Sequence, residues 1–443
     1  MTPNVRLYLS AGAAAFAGVL GTFVLVSRPQ WKPLFAASER QLDDWNSTLP
    51  TGVAVGCVVA VLAYAALQRA GSTRAAWVSA VVATAVLIAA RLTMSGVGDL
   101  EQLTLLHYVK CVAAGALLGA AVAAAWARAV PRLTLVGAVA ATVVVAVTAH
   151  GVAPSTSVLG EPFWWVLIPA IVLAAVCAVV DTDTPARADA GTVREVIAAA
   201  VTLAVAHRLL GAWVDGQSES NFRLWVVVGL CLVFVVALTE FWARRLDAPF
   251  LLAATAVAAA AAPMKTLLAQ DYLRLEPWIP VTVGVVAVAV GMAAALGRPS
   301  PTVGVAALAA LPLWIAIDPT TGDSRAVLLV QLAVLGIGIG LALGATLPDS
   351  AAVAALGLVV PLLSLVFTAL VGATTSVVLY SAGYAPLTSA PSTAELVEST
   401  VFVSFDSPVT FDRAAGVALV LVVAFCALAV RGLRARPVAA LPD

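Results

Sequence analysis

Residues 67–77, LQRAGSTRAAW, indicate the fold class of the chain, because they form a short charged break between two long apolar runs. Arg69 and Arg74 stand on either side of Gly71 in this break. A membrane-spanning helix needs roughly 17–25 mostly apolar residues, and the flanking runs 52–69 and 75–94 both meet that length. The stretch is therefore predicted to be a tight turn between two spanning helices.

The composition places the whole chain in a membrane. Of its 443 residues, 62% are hydrophobic and 11% charged, and the mean hydropathy is +1.02, far above that of a soluble domain. The net charge of zero argues against a nucleic-acid partner, which needs a concentrated basic face. The five cysteines lie inside apolar runs without metal-ligand or CxxC spacing. No cofactor, metal or catalytic residue is predicted, and the chain is not expected to be an enzyme.

Apolar runs of spanning length recur along the sequence, and they predict an all-α, polytopic fold with about fourteen transmembrane helices. The first run lacks a small-x-small cleavage site and is interpreted as a spanning helix and not a signal peptide. The predicted spans are 5–26, 52–69, 75–94, 104–127, 132–150, 162–180, 194–213, 222–243, 249–268, 277–297, 302–317, 327–347, 351–380 and 413–432.

The distribution of basic residues orients these helices. An even number of spans puts both termini on one side, and loop arginines on that side outnumber the basic residues opposite. By the positive-inside rule, the termini are predicted to be cytoplasmic, in a multi-pass protein of the plasma (inner) membrane. The arginines on that side are Arg6, Arg69, Arg74, Arg128, Arg132, Arg187, Arg194, Arg244, Arg245, Arg298, Arg431, Arg434 and Arg436.

Three further segments carry a family resemblance. Residues 160–169, GEPFWWVLIP, open the sixth span, residues 239–250, TEFWARRLDAPF, follow the eighth, and 336–340, GIGIG, continue through Gly344 to Pro348 and Asp349. In their order and spacing they resemble the fourteen-helix drug/proton antiporter branch of the major facilitator superfamily. The resemblance implies two six-helix bundles plus two extra helices. The corresponding domains are 1–180, an acidic linker with two helices at 181–245, and 246–443.

On this alignment the opening stretch falls where the superfamily has its signature turn, here in a degenerate form. Arg69, Gly71 and Arg74 stand at the positions of an arginine, the central glycine and the last basic residue, and the resemblance implies that they form a conformational latch. Gln68 replaces the family's aspartate, and an amide cannot form the ion pair that latches the inner face. The resemblance therefore supports the fold more than a proton-driven cycle.

Charged groups within the spans are the candidate functional residues, because ionisable side chains at membrane depth are rare. All acids fall in loops or near helix ends, with Glu240 and Arg244 spaced for an i,i+4 pair. Lys110, His207 and Arg208 are predicted to contact substrate in a cationic outer vestibule, with His107 beside Lys110. The alternative is that these long side chains, like Arg91 and Lys265, reach back to the membrane interface.

The main functional hypothesis is a transporter that exports an amphipathic or anionic small molecule or lipid. The partners implied are the lipid bilayer, that substrate and possibly another membrane protein. A second hypothesis is a scaffold or accessory subunit that retains the fold without transport, since Gln68 replaces the aspartate and no acid lies in mid-membrane. A third is a transferase acting on lipid-linked sugars, with Asp43 and Asp44 in the first outer loop as base or metal ligands.

Overall fold

The computed structural model describes residues 3–27, 39–94, 100–149, 160–181, 188–217, 222–268, 275–297, 301–321, 324–377 and 409–435. These residues are almost entirely helical, with one small sheet. The elements are α1 (Pro3–Val26), α2 (Glu39–Ala70), α3 (Thr73–Thr93), α4 (Leu100–Ala125), α5 (Ala129–Ala149), α6 (Trp164–Val180), α7 (Ala190–Asp215), α8 (Phe222–Arg245), α9 (Pro249–Leu268), α10 (Trp278–Gly297), α11 (Pro301–Ile317), β1 (Thr320–Thr321), α12 (Arg325–Ala345), α13 (Ala351–Val359), a 3-10 helix (Val360–Leu363), α14 (Leu365–Thr374), β2 (Thr375–Val377), β3 (Val409–Phe411) and α15 (Arg413–Arg434).

The number of helices able to span a membrane is close to the fourteen predicted from the sequence. Within the described ranges, 12 helices are long and apolar enough to cross a membrane, and α6 and α11 are shorter apolar helices of 17 residues. One of the 12 is the continuous run of α13, the 3-10 helix and α14. The protein is thus an all-helical, multi-pass membrane protein, as predicted.

Two boundaries differ from the prediction, each where polar residues join an apolar helix. The second span begins at Glu39, so most of the predicted first outer loop that is described is helical, including the backbone of Asp43 and Asp44. The thirteenth ends at Thr374, where β2 starts and pairs with β3 of the last outer loop, and β3 also pairs with β1. Arg187, Arg298, Arg436, most of the linker at 182–187 and the loop at 378–408 lie outside the described residues.

The helices form two bundles of six with the same internal packing. In the first bundle, α2 and α3 pack on α4, while α1 packs on α4, α5 and α6, and α3 on α6. In the second bundle the same scheme recurs eight helices later: α10 and α11 pack on α12, α9 on α12, α13, α14 and α15, and α11 on α15. This is the two-bundle arrangement with two extra helices that the resemblance implied.

The extra helices α7 and α8 lie along one side of the two bundles. The first of them, α7, packs against α2 of the first bundle and against α13 and α14 of the second, while α8 packs on α7, α9 and α15. On the opposite side, the bundles meet directly through α5 and α10. One flank between the bundles is therefore covered by extra helices, and the other is not.

Glycines set the closest approaches at equivalent places in both bundles. A Cβ at Gly115 of α4 would overlap the Gly56 carbonyl oxygen of α2, and one at Gly340 of α12 would overlap the Val288 carbonyl oxygen of α10. Without a side chain, the helix backbones approach closely and gain van der Waals contact, which drives helix association in lipid. The glycine-rich segments of α4 and α12 therefore serve to pack the bundles.

Candidate functional site

The predicted signature turn is formed between α2 and α3. Gly71 adopts φ = +67°, in the left-handed region that favours glycine, and the Ser72 side chain caps α3 at the Ala75 N–H. Arg69 and Arg74 are exposed, so the structure places them at the surface of the turn. Gln68 donates a 2.6 Å hydrogen bond from Nε2 to the Ala188 carbonyl oxygen, just before α7. The amide thus ties the turn to the extra helices, and the latch role stays a prediction.

A partly buried ion pair lies close to this turn, on residues that the sequence did not single out. The Arg128 guanidinium donates to an Asp181 carboxylate oxygen at 2.6 Å and to the Ser10 hydroxyl at 3.1 Å. Trp77 Nε1 donates to the other Asp181 oxygen at 3.3 Å. The Trp77 side chain is fully buried, and 7% of the Asp181 side chain is exposed. This network joins α1, α3, the α4–α5 turn and the end of α6 at the face where α1 begins, called here the terminal face.

The sequence signal for this network was weak. Asp181 directly follows the apolar run of α6 and opens a polar stretch, so it is indistinguishable from a solvated linker residue until α3 and α5 are placed beside it. Arg128 was counted only for its charge in the topology.

Lys110 lies inside the first bundle and not at its surface. It is 2% exposed. Near the face opposite the terminal face, Glu161, which precedes α6, lies 3.8 Å from Arg91, whose guanidinium donates to the Pro162 carbonyl oxygen and lies 4.9 Å from the Trp164 ring centroid. Arg91 is therefore paired with a carboxylate that the sequence did not assign to it.

His107, next to Lys110, contacts α2. Its Nε2 lies 3.1 Å from the Leu49 carbonyl oxygen, which can only accept, so this contact assigns the ring proton to Nε2. The ring occupies the space left by Gly52, where a Cβ would overlap it. His107 therefore packs α4 onto α2.

Arg208 contacts the same part of α2 from the other side. It donates to the Ser47 carbonyl oxygen at 2.8 Å and to the Thr51 hydroxyl at 2.7 Å. Pro50, within α2, lacks the N–H that would otherwise bond the carbonyl four residues earlier, which weakens the local helix ladder. Arg208 and His107 thus stabilise this end of α2, which the sequence had assigned to a loop.

His207 faces a different helix from its neighbour Arg208. Its ring is 2% exposed and lies edge-on to Phe367 of α14 at 5.9 Å between ring centroids, and Nδ1 has no hydrogen-bond partner. The structure brings Lys110 and Arg208 to helices on opposite flanks of α2, and His207 to the second bundle. Their substrate-binding role remains a prediction.

An apolar groove lies between the two bundles and is called here the α5–α10 groove. It has a volume of about 610 Å³ and is lined by α1, α5 and the start of α6 on one wall and by α10 on the other. Phe16, Gly137 and Thr142 lie on the first wall, and Val285 and Met292 on the second. Lys110, His207 and Arg208 are not among the described residues that line it.

At the terminal face the bundles touch through two equivalent turns. Trp126, after α4, donates from Nε1 to the Pro348 carbonyl oxygen at 3.2 Å, and Arg132 of α5 lies 3.6 Å from the Asp349 carboxylate. Pro348 and Asp349 follow α12, which is the counterpart of α4 in the second bundle. The two bundles are therefore in direct contact at this face.

Several buried polar groups are not ionisable and were therefore not predicted from the sequence. Thr22 Oγ1, the Tyr64 hydroxyl and both amide atoms of Gln331 are buried without a hydrogen-bond partner. An amide within the apolar run of α12 is the one sequence signal that would have identified Gln331. The predicted Glu240–Arg244 ion pair is present. Among the residues described, no group of His, Cys, Asp or Glu could hold a metal ion, and the cysteines are free and buried.

Comparison with known proteins finds a likeness among solved structures. No protein-family model and no curated protein matches the sequence. The chain is similar to a solved structure described as the crystal structure of an auto inhibited POT family peptide transporter, at 12% identity, over 99% of each chain, with a TM-score of 0.49. At this level of similarity nothing follows about substrate or coupling, which have to be argued from the chain's own residues.

Proposed function

We propose that this chain is a transporter of major-facilitator type that moves an amphipathic or anionic small molecule or lipid across the membrane. The observation that carries the proposal is the combination of a groove between two equivalent bundles with a direct contact between those bundles at the terminal face. Two bundles that touch at one face and separate alongside it can rock about a shared site. We further propose that the chain is divided into domains at 1–180, 181–245 and 246–443. We also propose that the terminal face lies in the cytoplasm and that the chain is of the fourteen-helix antiporter-like branch.

Flux in proteoliposomes tests this proposal. The purified protein is reconstituted, and the movement of fluorescent amphiphiles of either charge is followed against empty liposomes and against a pH gradient. Protein-dependent flux supports the transporter. The absence of flux for every probe, together with co-purification of a stable membrane partner, would favour the scaffold hypothesis instead.

The cationic residues give a second prediction. If Lys110 and Arg208 contact an anionic substrate, Lys110→Met and Arg208→Gln will each lower its flux about tenfold or more, since a hydrogen bond to a charged group contributes roughly 1.5–3 kcal/mol. The matched control is Arg223→Gln, an exposed cation at the start of α8. Unchanged flux in both variants, with normal folding, would remove these residues from the site.

The contact between the bundles gives a third prediction. Trp126→Phe keeps an aromatic ring, smaller than the indole, but removes the donor to Pro348, and a net hydrogen bond of about 1 kcal/mol shifts a two-state population roughly fivefold. Spin labels at Arg74→Cys and Arg431→Cys, both exposed at the terminal face, report the separation of the bundles. We expect longer distances to gain population in Trp126→Phe.

The matched control for this contact is Asp349→Asn. The Asp349 side chain is fully exposed, so loss of its charge beside Arg132 is expected to change the distance distribution little. An identical distance distribution in Trp126→Phe and the unsubstituted protein would show that this contact does not hold the bundles together.

A further inference from the structure

Among the residues described, the walls of the α5–α10 groove carry few side-chain polar groups: two threonine hydroxyls and the indole N–H of Trp165. Its two threonines already bond to backbone: the Thr142 hydroxyl donates to the Ala138 carbonyl oxygen at 2.7 Å, and the Thr134 hydroxyl to those of Pro131 and Ala11 at 3.0 and 3.2 Å. The rest of the lining is aliphatic or aromatic, apart from small residues such as Gly137. A sugar, peptide or ion would lose its hydrogen bonds to water there without replacement.

The groove is long as well as apolar. Its lining runs along α5 from Leu133 to Ala149, which at 1.5 Å per residue is about 24 Å. The lining of α10 runs antiparallel over nearly the same length, from Leu296 to Val281. Since the hydrocarbon core of a bilayer is about 30 Å thick, the groove extends through most of that depth. Its volume of about 610 Å³ is within the range of ligand sites.

The groove also lies on the flank that the extra helices leave uncovered. On the other flank, α7 fills the gap between α2 and α14, and Gly211 of α7 allows it to approach Leu365 closely. On the groove side, Val285 of α10 and Trp165 of α6 line the groove and are also exposed. In a membrane these exposed apolar side chains face lipid, so the groove opens toward acyl chains and not toward water.

We infer that the α5–α10 groove is a binding site for one long hydrocarbon chain of a lipid, and that this lipid is the amphiphile transported. The chain enters sideways from the bilayer between α5 and α10 and lies parallel to the helices. The identity of the substrate as a lipid rests on the proposed transport function, whereas chain binding does not. Because the chain moves from one apolar surrounding to another, packing against the walls and not the hydrophobic effect decides which chains bind.

Photo-crosslinking tests the binding site directly. The protein is reconstituted with a phospholipid that carries a diazirine in one acyl chain, and crosslinked residues are mapped by mass spectrometry. We expect crosslinks concentrated on groove residues such as Phe16 and Val288. Crosslinks on these residues no more frequent than on exposed Leu230 and Phe234 of α8 would show boundary lipid only, and would overturn the inference.

A filled groove supplies the matched comparison. A Cβ at Gly137 meets nothing within 4 Å, so Gly137→Trp occupies the groove without moving backbone, and Gly229→Trp adds the same side chain at an equally open, exposed position on α8. We expect groove crosslinks to fall fivefold or more in Gly137→Trp and to persist in Gly229→Trp. Groove crosslinks of equal yield in the two variants would contradict the site.

Lipid flux then separates this inference from the proposed function. Loss of both crosslinks and fluorescent-phospholipid flux in Gly137→Trp supports a lipid substrate. Loss of crosslinks with unchanged lipid flux would overturn the substrate assignment while transport stands. Groove crosslinks in a protein without flux for any probe would overturn the transport function and leave the chain-binding site intact.

Discussion

Gly115→Leu is expected to prevent the first bundle from assembling. The Cβ at this position overlaps the Gly56 carbonyl oxygen, which belongs to the backbone of α2 and cannot rotate away. The two helices must therefore separate along their length, and the contact between α2 and α4 is among the most extensive in the bundle. Overpacking of this kind commonly destabilises by 1–3 kcal/mol, and a clash with backbone places the loss at about 3 kcal/mol or more.

The measurement is the free energy of unfolding in mixed micelles titrated with SDS, together with the monodisperse fraction in size-exclusion chromatography. Gly229→Leu is the matched control, because it also replaces a glycine within a spanning helix, but its Cβ meets nothing within 4 Å. We expect the control to differ little from the unsubstituted protein. Equal stability of the two variants would show that the close approach of α2 and α4 does not hold the bundle together.

The equivalence of the bundles extends this prediction. Gly340→Leu places a side chain against the Val288 carbonyl oxygen of α10, the counterpart of the α2–α4 contact in the second bundle. Its loss of stability should match that of Gly115→Leu. A large difference would mean that the equivalent contacts contribute different free energies of stabilisation to the two bundles.

Most of the fold was predictable from the sequence because a membrane leaves few options. Backbone groups in lipid must bond within their own segment, so each apolar run of sufficient length specifies a helix, and the count of fourteen follows. The same reasoning fails at the polar ends of spans. The start of α2 at Glu39 and the strands β2 and β3 form where water is present, so hydropathy does not predict them.

The candidate site was less predictable, because side-chain partners depend on which helices are neighbours. Sequence analysis identified Lys110 and Arg208 by charge alone, but the burial of Lys110 within the first bundle and the Ser47 carbonyl oxygen bound by Arg208 become visible only when the neighbouring helices are in place. The α5–α10 groove gave no signal, because valine, alanine and glycine line it as they line every packed interface. In a membrane sequence, a polar site can be predicted from its unusual residues, whereas an apolar site cannot be distinguished from ordinary helix packing.

Asp181→Ala is the second substitution with a large expected effect. It removes the partner of Arg128 and the acceptor of Trp77 in a network that joins four segments at the terminal face. Arg128 loses its 2.6 Å carboxylate acceptor and Trp77 loses its acceptor, and we expect a loss of about 2 kcal/mol, less than for a fully buried pair because 22% of the Arg128 side chain is exposed. Stability is again measured by unfolding in mixed micelles. Glu195→Gln, which breaks the exposed Glu195–Arg245 pair at the same face, is the matched control and should have little effect.

A double-mutant cycle separates the ion pair from simple loss of packing. Asp181→Asn keeps the shape of the side chain and an acceptor for Trp77, while Arg128→Gln removes the positive charge. If the pair holds the first bundle together by charge, each single substitution destabilises, and the double variant is less destabilised than the sum of the two, because neither charge is left alone. Additive losses would instead mean that Arg128 and Asp181 act independently. In that case the terminal face of the bundle depends on the packing of Trp77 and not on the ion pair that surrounds it.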